Sequence, residues 1–143
     1  MKITENFCFE ELIYSSTAER LHIDNMPNDE QQKNLCFLAT QLQEVRTKFG
    51  QPIVVNSGFR SPKLNKKTGG QPNSYHLQGL AADVRPMWTG ERMDDTVNLA
   101  RLYTLLSESV PKPVELILYK SFIHVAYAKR DRDNTENLPF KTE

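Results

Sequence analysis

Ser74-Tyr75-His76-Leu77-Gln78-Gly79-Leu80-Ala81-Ala82-Asp83 is the stretch on which the fold turns, and Phe122-Ile123-His124-Val125-Ala126 completes it. Together they offer two imidazoles and one carboxylate from separate elements. That is the donor set of a catalytic zinc site, in which three protein groups hold the ion and a fourth position stays open for water. A structural zinc site is more often closed by four ligands rich in cysteine. Here Cys8 and Cys36 stand apart from each other and from the histidines, and both read as small apolar residues. His76, Asp83 and His124 are therefore the candidate metal ligands. A histidine between Ile123 and Val125 with nothing to bind would need some other hydrogen-bonding partner. His22, between Leu21 and Ile23, has no such company and is expected at the surface.

Outward from these segments the chain punctuates itself. Leu80 to Val84 reads as a strand with Ala81 and Asp83 on one face and Leu80 and Ala82 on the other. Val114 to Tyr119 and Phe122 to Tyr127 read as a hairpin around Lys120-Ser121. That turn pairs Tyr119 with Phe122, Ile117 with His124 and Glu115 with Ala126, all on one face, with Glu115 diagonal to His124. Pro52 to Ser57, rich in β-branched residues, reads as a buried strand. Between it and His76 the loop chemistry of Ser61-Pro62, Gly69-Gly70 and Pro72-Asn73-Ser74 predicts one long loop, from Gly58 to Gly79, of the kind that usually carries function.

Three helical segments complete the pattern. Phe9 to Tyr14 is a short helix ending at Ser15-Ser16-Thr17, followed by a turn-like segment from Ala18 to Ile23. Asn28 caps a long helix, Gln31 reaches back to the cap, and Leu35, Leu38, Leu42, Val45 and Phe49 repeat at helical spacing until Gly50 stops it. Thr89 or Gly90 opens a last helix that runs to about Glu108, with Met93, Val97, Leu99, Leu102, Leu105 and Leu106 as its apolar face. The tail from Lys129 is polar until Leu138-Pro139-Phe140 and is expected to pack loosely or fray.

Composition narrows the classes. The 143 residues carry 18 basic and 18 acidic side chains, so no basic surplus argues for nucleic acid and no charge excess for disorder. With no repeat or linker, a single domain over residues 1–143 is expected, large enough to bury a core without disulfides. The segment Met1 to Phe7 does not read as a signal peptide, and runs such as Leu116 to Tyr119 fall far short of the roughly 20 apolar residues that cross a bilayer. The expectation is a protein made in the cytoplasm without membrane insertion, which would meet an external substrate only if released by other means. Oligomeric state is not fixed by sequence; a monomer is the working expectation.

The same residues resemble the zinc D-Ala-D-Ala carboxypeptidase family, which includes phage L-alanyl-D-glutamate endopeptidases and shares its fold with the Hedgehog signalling domain. Its hallmark, Ser-x-His-x-x-Gly-x-Ala-x-Asp, is met at each fixed position by Ser74, His76, Gly79, Ala81 and Asp83. Ser57-Gly58-Phe59-Arg60-Ser61 is similar to the family's Ser-Gly-Tyr-Arg-Ser segment. Leu64-Asn65, Gly69-Gly70 and Asn73-Ser74 resemble the spacing of its small single-domain phage and bacterial members.

The resemblance implies an α+β fold, a small antiparallel sheet with helices packed on one side and Zn2+ at one face beneath the Gly58 to Tyr75 loop. It implies hydrolysis of a peptide bond in the peptidoglycan stem, as a carboxypeptidase or an endolysin-type endopeptidase. It also gives Arg60 the scissile carbonyl or a substrate carboxylate, a role suited to a forked, permanently charged group. Ser74 is a hydroxyl for the substrate's terminal carboxylate by resemblance and a loop cap by default. Tyr75 and Tyr119 are candidates to line the groove, and Tyr119 alternatively donates a hydroxyl to the intermediate. Lys63, Lys66 and Lys67 read as a solvated charge run. Gly79 and Ala81 are expected to be small because the backbone passes close to the ion.

The family's proton acceptor is where the chain departs. Many members place Asp or Glu three residues before the last ligand, where this sequence has Ser121, or in the preceding strand near Tyr119. Glu115 is the nearest replacement, on the ligand-bearing face by the hairpin count. Should it lie elsewhere, the reading shifts to a degenerate zinc-binding module for cell-wall binding or virion and tail assembly. A plain interaction domain with fortuitous histidines is the third reading, and metal content separates it from the other two.

Overall fold

The structure is a computed structural model that describes residues 1–87 and 95–129. Its organising element is α3, Asp29–Phe49. Asn28 accepts from the Gln31 amide at 2.8 Å while the Gln31 side chain accepts from the Asn28 amide at 2.8 Å, so two otherwise orphaned donors are satisfied reciprocally. Gly50, at φ 75°, closes the helix. The stripe Leu35, Leu38, Leu42, Val45 and Phe49 is wholly buried, as its spacing requires.

Four strands make one antiparallel sheet in the order β1-β2-β4-β3, namely Ile53–Ser57, Ala81–Pro86, Ile123–Ala126 and Glu115–Leu118. The hairpin register is the one the turn dictates: Glu115 faces Ala126 and Ile117 faces His124, and the Tyr119 amide donates to the Phe122 carbonyl at 2.9 Å. In the next ladder Asp83 stands opposite His124. Period-two alternation then sorts the side chains. Ala82, Val84, Ile123 and Val125 join Leu35, Leu38 and Leu42 in a single apolar cluster, to which Leu99, Leu102 and Leu106 of α5, Thr96–Ser107, also belong. Both long helices thus cover one face, and Asp83 and His124 project from the other.

A register shift between Val55 and Ser57 sets Val55 opposite Val84 and Ser57 opposite Asp83, with Asn56 as the extra residue. Such a bulge re-aims the strand end. It brings Ser57, and the Gly58-Phe59-Arg60 segment after it, alongside Asp83.

Several expectations need correction. The stretch read as one loop from Gly58 to Gly79 contains α4, Pro62–Lys67, and a 3₁₀ turn, Tyr75–Gln78. The signal for α4 was present in Ser61-Pro62: the Ser61 hydroxyl accepts from the Leu64 amide and Pro62 occupies the first turn, where its missing N–H costs nothing. α1, Phe9–Ile13, is followed by α2, Ser16–Leu21, a helix rather than a turn, capped by Ser15. α5 begins after its cap Asp95, while the expected start at Thr89 or Gly90, together with Met93, lies outside the described residues. Val97, assigned to its apolar face, is exposed. The polar tail beyond Lys129 also lies outside them. Cys36 is buried, whereas Cys8, expected to match it, is half-exposed; both are free thiols. Burial pushes the Cys36 thiol up to about 11.

Among the described residues no helix is long and apolar enough to cross a membrane.

Candidate metal centre

Each candidate ligand is delivered by a different piece of backbone. Asp83 comes from the middle of β2, His124 from β4 directly opposite, and His76 from the 3₁₀ turn that leads into β2. Ser74 caps that turn, its hydroxyl accepting from the His76 amide at 3.1 Å, and Gly79 ends it at φ 77°. A side chain at Gly79 would place its first carbon 2.7 Å from the Gln31 carbonyl oxygen. The small residue is therefore required by the positive φ and by the backbone of α3 packed beneath it.

Ligand-capable atoms of His76, Asp83 and His124 lie within 4.8 Å of one another. The Asp83 Oδ1 atom is the hub, 2.9 Å from His124 Nδ1 and 3.4 Å from His76 Nε2. His76 is buried, and its Nδ1 meets the Gly58 carbonyl at 2.7 Å. A carbonyl only accepts, so Nδ1 carries a hydrogen and Nε2 is the ring nitrogen turned to Asp83. That backbone contact is the usual outer partner of a metal-binding histidine. His124 Nε2 lies 2.8 Å from Glu115 Oε1.

Charge is unevenly distributed over this cluster. Burial raises the Asp83 carboxyl, but hydrogen bonds from His124 and His76 outweigh it and hold the group well below the usual carboxylate range. Asp83 is accordingly an anion with two imidazoles against it. His124 is pushed above its ordinary value, chiefly by Asp83 and also by Glu115, against the opposing effect of burial. Two nitrogens, one carboxylate oxygen and an open cleft fit a divalent ion of zinc's ligand preference.

The surrounding residues extend the site. Arg60 is no solvated loop arginine: its Nε donates to Ser57 Oγ at 3.1 Å, Nη1 to Asn65 Oδ1 at 3.3 Å and Nη2 to Asp83 Oδ2 at 3.4 Å. Burial lowers its pKa from the ordinary arginine value, partly offset by Asp83. Asn65, buried within α4, is fixed in turn by donating to the Gln71 carbonyl at 2.7 Å. Gly70 leaves room for this arrangement, since a first side-chain carbon there would fall 2.0 Å from Asn65 Oδ1.

A cleft of about 630 Å3 opens over the three ligands. Arg60, Ser74, Tyr75, Glu115 and Tyr119 all line it, so every candidate site residue is brought to one place. Tyr119, half-exposed, stacks on Phe122 with ring centroids 4.7 Å apart. Tyr75 packs its ring partly against the main core. Ser121 and His22 are exposed, as are Lys63, Lys66 and Lys67. Asn65, within a segment that resembles the family, and Phe122, in the hairpin, carry no site role in the sequence reading. Phe122 could have been found, because the hairpin count already set it on the ligand face. Asn65 could not, since its role depends on a helix that was read as loop.

The sequence is also similar to that of known peptidases. A family model for peptidase M15 matches residues 5–126. A zinc D-Ala-D-Ala carboxypeptidase from Streptomyces albus G is 49% identical over 45 residues, a segment covering 31% of this chain and 18% of that protein. Family and relative imply Zn2+ as cofactor, and the His76, Asp83 and His124 cluster could hold it. With a match that runs through every element from α1 to β4, the chain belongs to the peptidase M15 family.

Proposed function

We propose that this protein is a zinc-dependent peptidase that hydrolyses a peptide bond of the peptidoglycan stem. The observation that carries the reading is the convergence of His76 Nε2, Asp83 Oδ1 and His124 Nδ1 at the floor of an open cleft that also holds a guanidinium and a second carboxylate. A zinc ion held there supplies Lewis acidity, polarising a carbonyl and acidifying water.

The chain's own residues supply the rest. His76 and His124 give nitrogen donors, and Asp83 gives a carboxylate oxygen whose ionised form its neighbours favour. Arg60, immobilised by Ser57, Asn65 and Asp83, presents a preorganised positive charge to a substrate carbonyl or carboxylate. Asp83 and Glu115 are the carboxylates that line the cleft among the described residues. Asp83 is committed to the ligand cluster, which leaves Glu115 to take a proton from the attacking water and return it to the leaving amine. The stacked pair Tyr119 and Phe122 forms an apolar wall for the substrate's aliphatic portions, and Ser74 and Tyr75 line the cleft for its polar end.

A second reading, a zinc-binding module without efficient cleavage, is favoured by one observation. Glu115 Oε1 is already engaged by His124, and neither Ser121 nor Tyr119 replaces it as a proton acceptor. Digestion of purified peptidoglycan by the zinc-loaded protein beside Glu115→Gln decides between them, with fragments identified by mass. The peptidase reading expects stem fragments from the parent and a loss of about 10²- to 10⁴-fold in the variant, the usual weight of a general base. Release of D-Ala alone would mark a carboxypeptidase, and internal stem cleavage an endopeptidase. If both proteins retain zinc and neither releases fragments, the module reading holds.

A further inference from the structure

We infer that Glu115, besides the proton transfer proposed above, positions the metal centre: its Oε1 accepts the Nε2 hydrogen of His124 and thereby commits Nδ1 of that ring to the metal, leaving Oε2 for the proton transfer. The inference deepens the zinc reading above and rests on it only for the identity of the ion, not for any cleavage.

The geometry is specific to this hairpin. In the β3–β4 register Ile117 stands directly opposite His124 and Glu115 opposite Ala126, so Glu115 is a diagonal neighbour on the same face. Diagonal neighbours sit roughly 7–8 Å apart at Cα, within reach of a long side chain but not of a short one. Glutamate spans that gap and meets His124 Nε2 at 2.8 Å. The other ring nitrogen then points the opposite way, at Asp83 Oδ1, 2.9 Å distant, toward which His76 Nε2 is also turned. A carboxylate has no hydrogen to give, so Nε2 is the donor toward Glu115 and Nδ1 is the nitrogen on the side of the ligand cluster.

The two histidines are thus oriented by different acceptors. A backbone carbonyl, Gly58, holds Nδ1–H of His76 and frees Nε2; a side-chain carboxylate, Glu115, holds Nε2–H of His124 and frees Nδ1. One ring is fixed by the fold and the other by a single exchangeable side chain. Glu115 is 43% exposed on its side chain and lies on an edge strand, so its replacement leaves the core untouched.

Outer partners of this kind typically change metal affinity by about 10- to 100-fold. The test measures zinc affinity by competition with a chromophoric chelator for the parent, Glu115→Gln and Glu115→Ala, with circular dichroism as the folding check. Ring-nitrogen chemical shifts of His124 are recorded in the zinc-loaded parent. Glu115→Ala should bind zinc about 10- to 100-fold more weakly. Glu115→Gln, whose amide oxygen still accepts, should stay much closer to the parent, and the spectra should show hydrogen on Nε2 and metal on Nδ1. Equal affinity in parent and Glu115→Ala, equal loss in both variants, or metal on Nε2 would overturn the assignment. A protein that binds zinc in this pattern yet cleaves nothing would sink the peptidase reading alone.

Discussion

Asp83 carries more of the account than any other residue, because one of its oxygens faces both histidines and the other faces Arg60. The consequences for pH can be worked out group by group. Asp83 is held below its ordinary value of 3.8, so its contribution to stability is present above that value and fades as pH falls below it. His124 is raised above 6.5, so its contribution in the metal-free protein is complete below 6.5 and is lost as pH rises through the raised value. Chemical denaturation of chelator-treated protein should therefore show maximum stability between about pH 4 and 6.5, declining on both sides. Zinc must displace the His124 proton, so its apparent affinity should increase about tenfold per pH unit until the raised value is passed; a flat profile from pH 5 to 8 would contradict the coupling. At Arg60, replacement by Ala should leave zinc stoichiometry intact while turnover on peptidoglycan falls about 10²-fold or more, the weight of one preorganised donor. The ligand identities were legible in the spacing of imidazoles and carboxylate. The contact of Gly79 with α3 was not, because the carbonyl that excludes a side chain there belongs to a helix far away in sequence.

Elements whose caps or turns came with a periodic apolar pattern were the ones that could be read in advance, whereas the Ser61-Pro62 cap of α4 came without one. The Asn28 and Gln31 pair and Gly50 bracketed α3, and the two-residue turn at Lys120-Ser121 set the hairpin register that delivers Glu115 to His124. α4 was missed because, of its buried residues, Leu64 is the one apolar side chain, joining a small satellite cluster with Ala18 and Ile23, which leaves no stripe to detect. The bulge after Val55 was equally invisible, since nothing in Val55-Asn56-Ser57 announces an extra residue. Two glycines at helix ends allow a direct test of close packing. Gly50 and Gly79 have φ of 75° and 77°, yet a side chain at Gly50 meets nothing within 4 Å, whereas one at Gly79 runs into α3. Gly50→Ala should cost about 1 kcal/mol from backbone strain alone and Gly79→Ala more, up to about 3 kcal/mol. Thermal melts of the two variants that coincide would show that the contact with α3 is not limiting.

At the scale of the whole molecule, core and metal centre occupy opposite faces of one thin sheet. None of the three ligands belongs to the apolar cluster, so the fold should survive loss of metal. The ion would instead tie the 3₁₀ turn to β2 and β4, and binding at 100-fold over its dissociation constant adds about 2.7 kcal/mol. For a domain of this size, removing zinc with a chelator should lower Tm by on the order of 10 °C without abolishing the cooperative transition. Loss of all secondary structure on chelation would mean that the helices and sheet do not hold together by burial alone. Which side chains bind the metal is read without intermediary from an anomalous-difference map at the zinc edge, recorded on crystals of the zinc-loaded protein. One peak is expected, bonded to His76 Nε2, Asp83 Oδ1 and His124 Nδ1 at about 2.0–2.2 Å from each. A peak elsewhere on the molecule, or none in this cleft at saturating zinc, would contradict this ligand set.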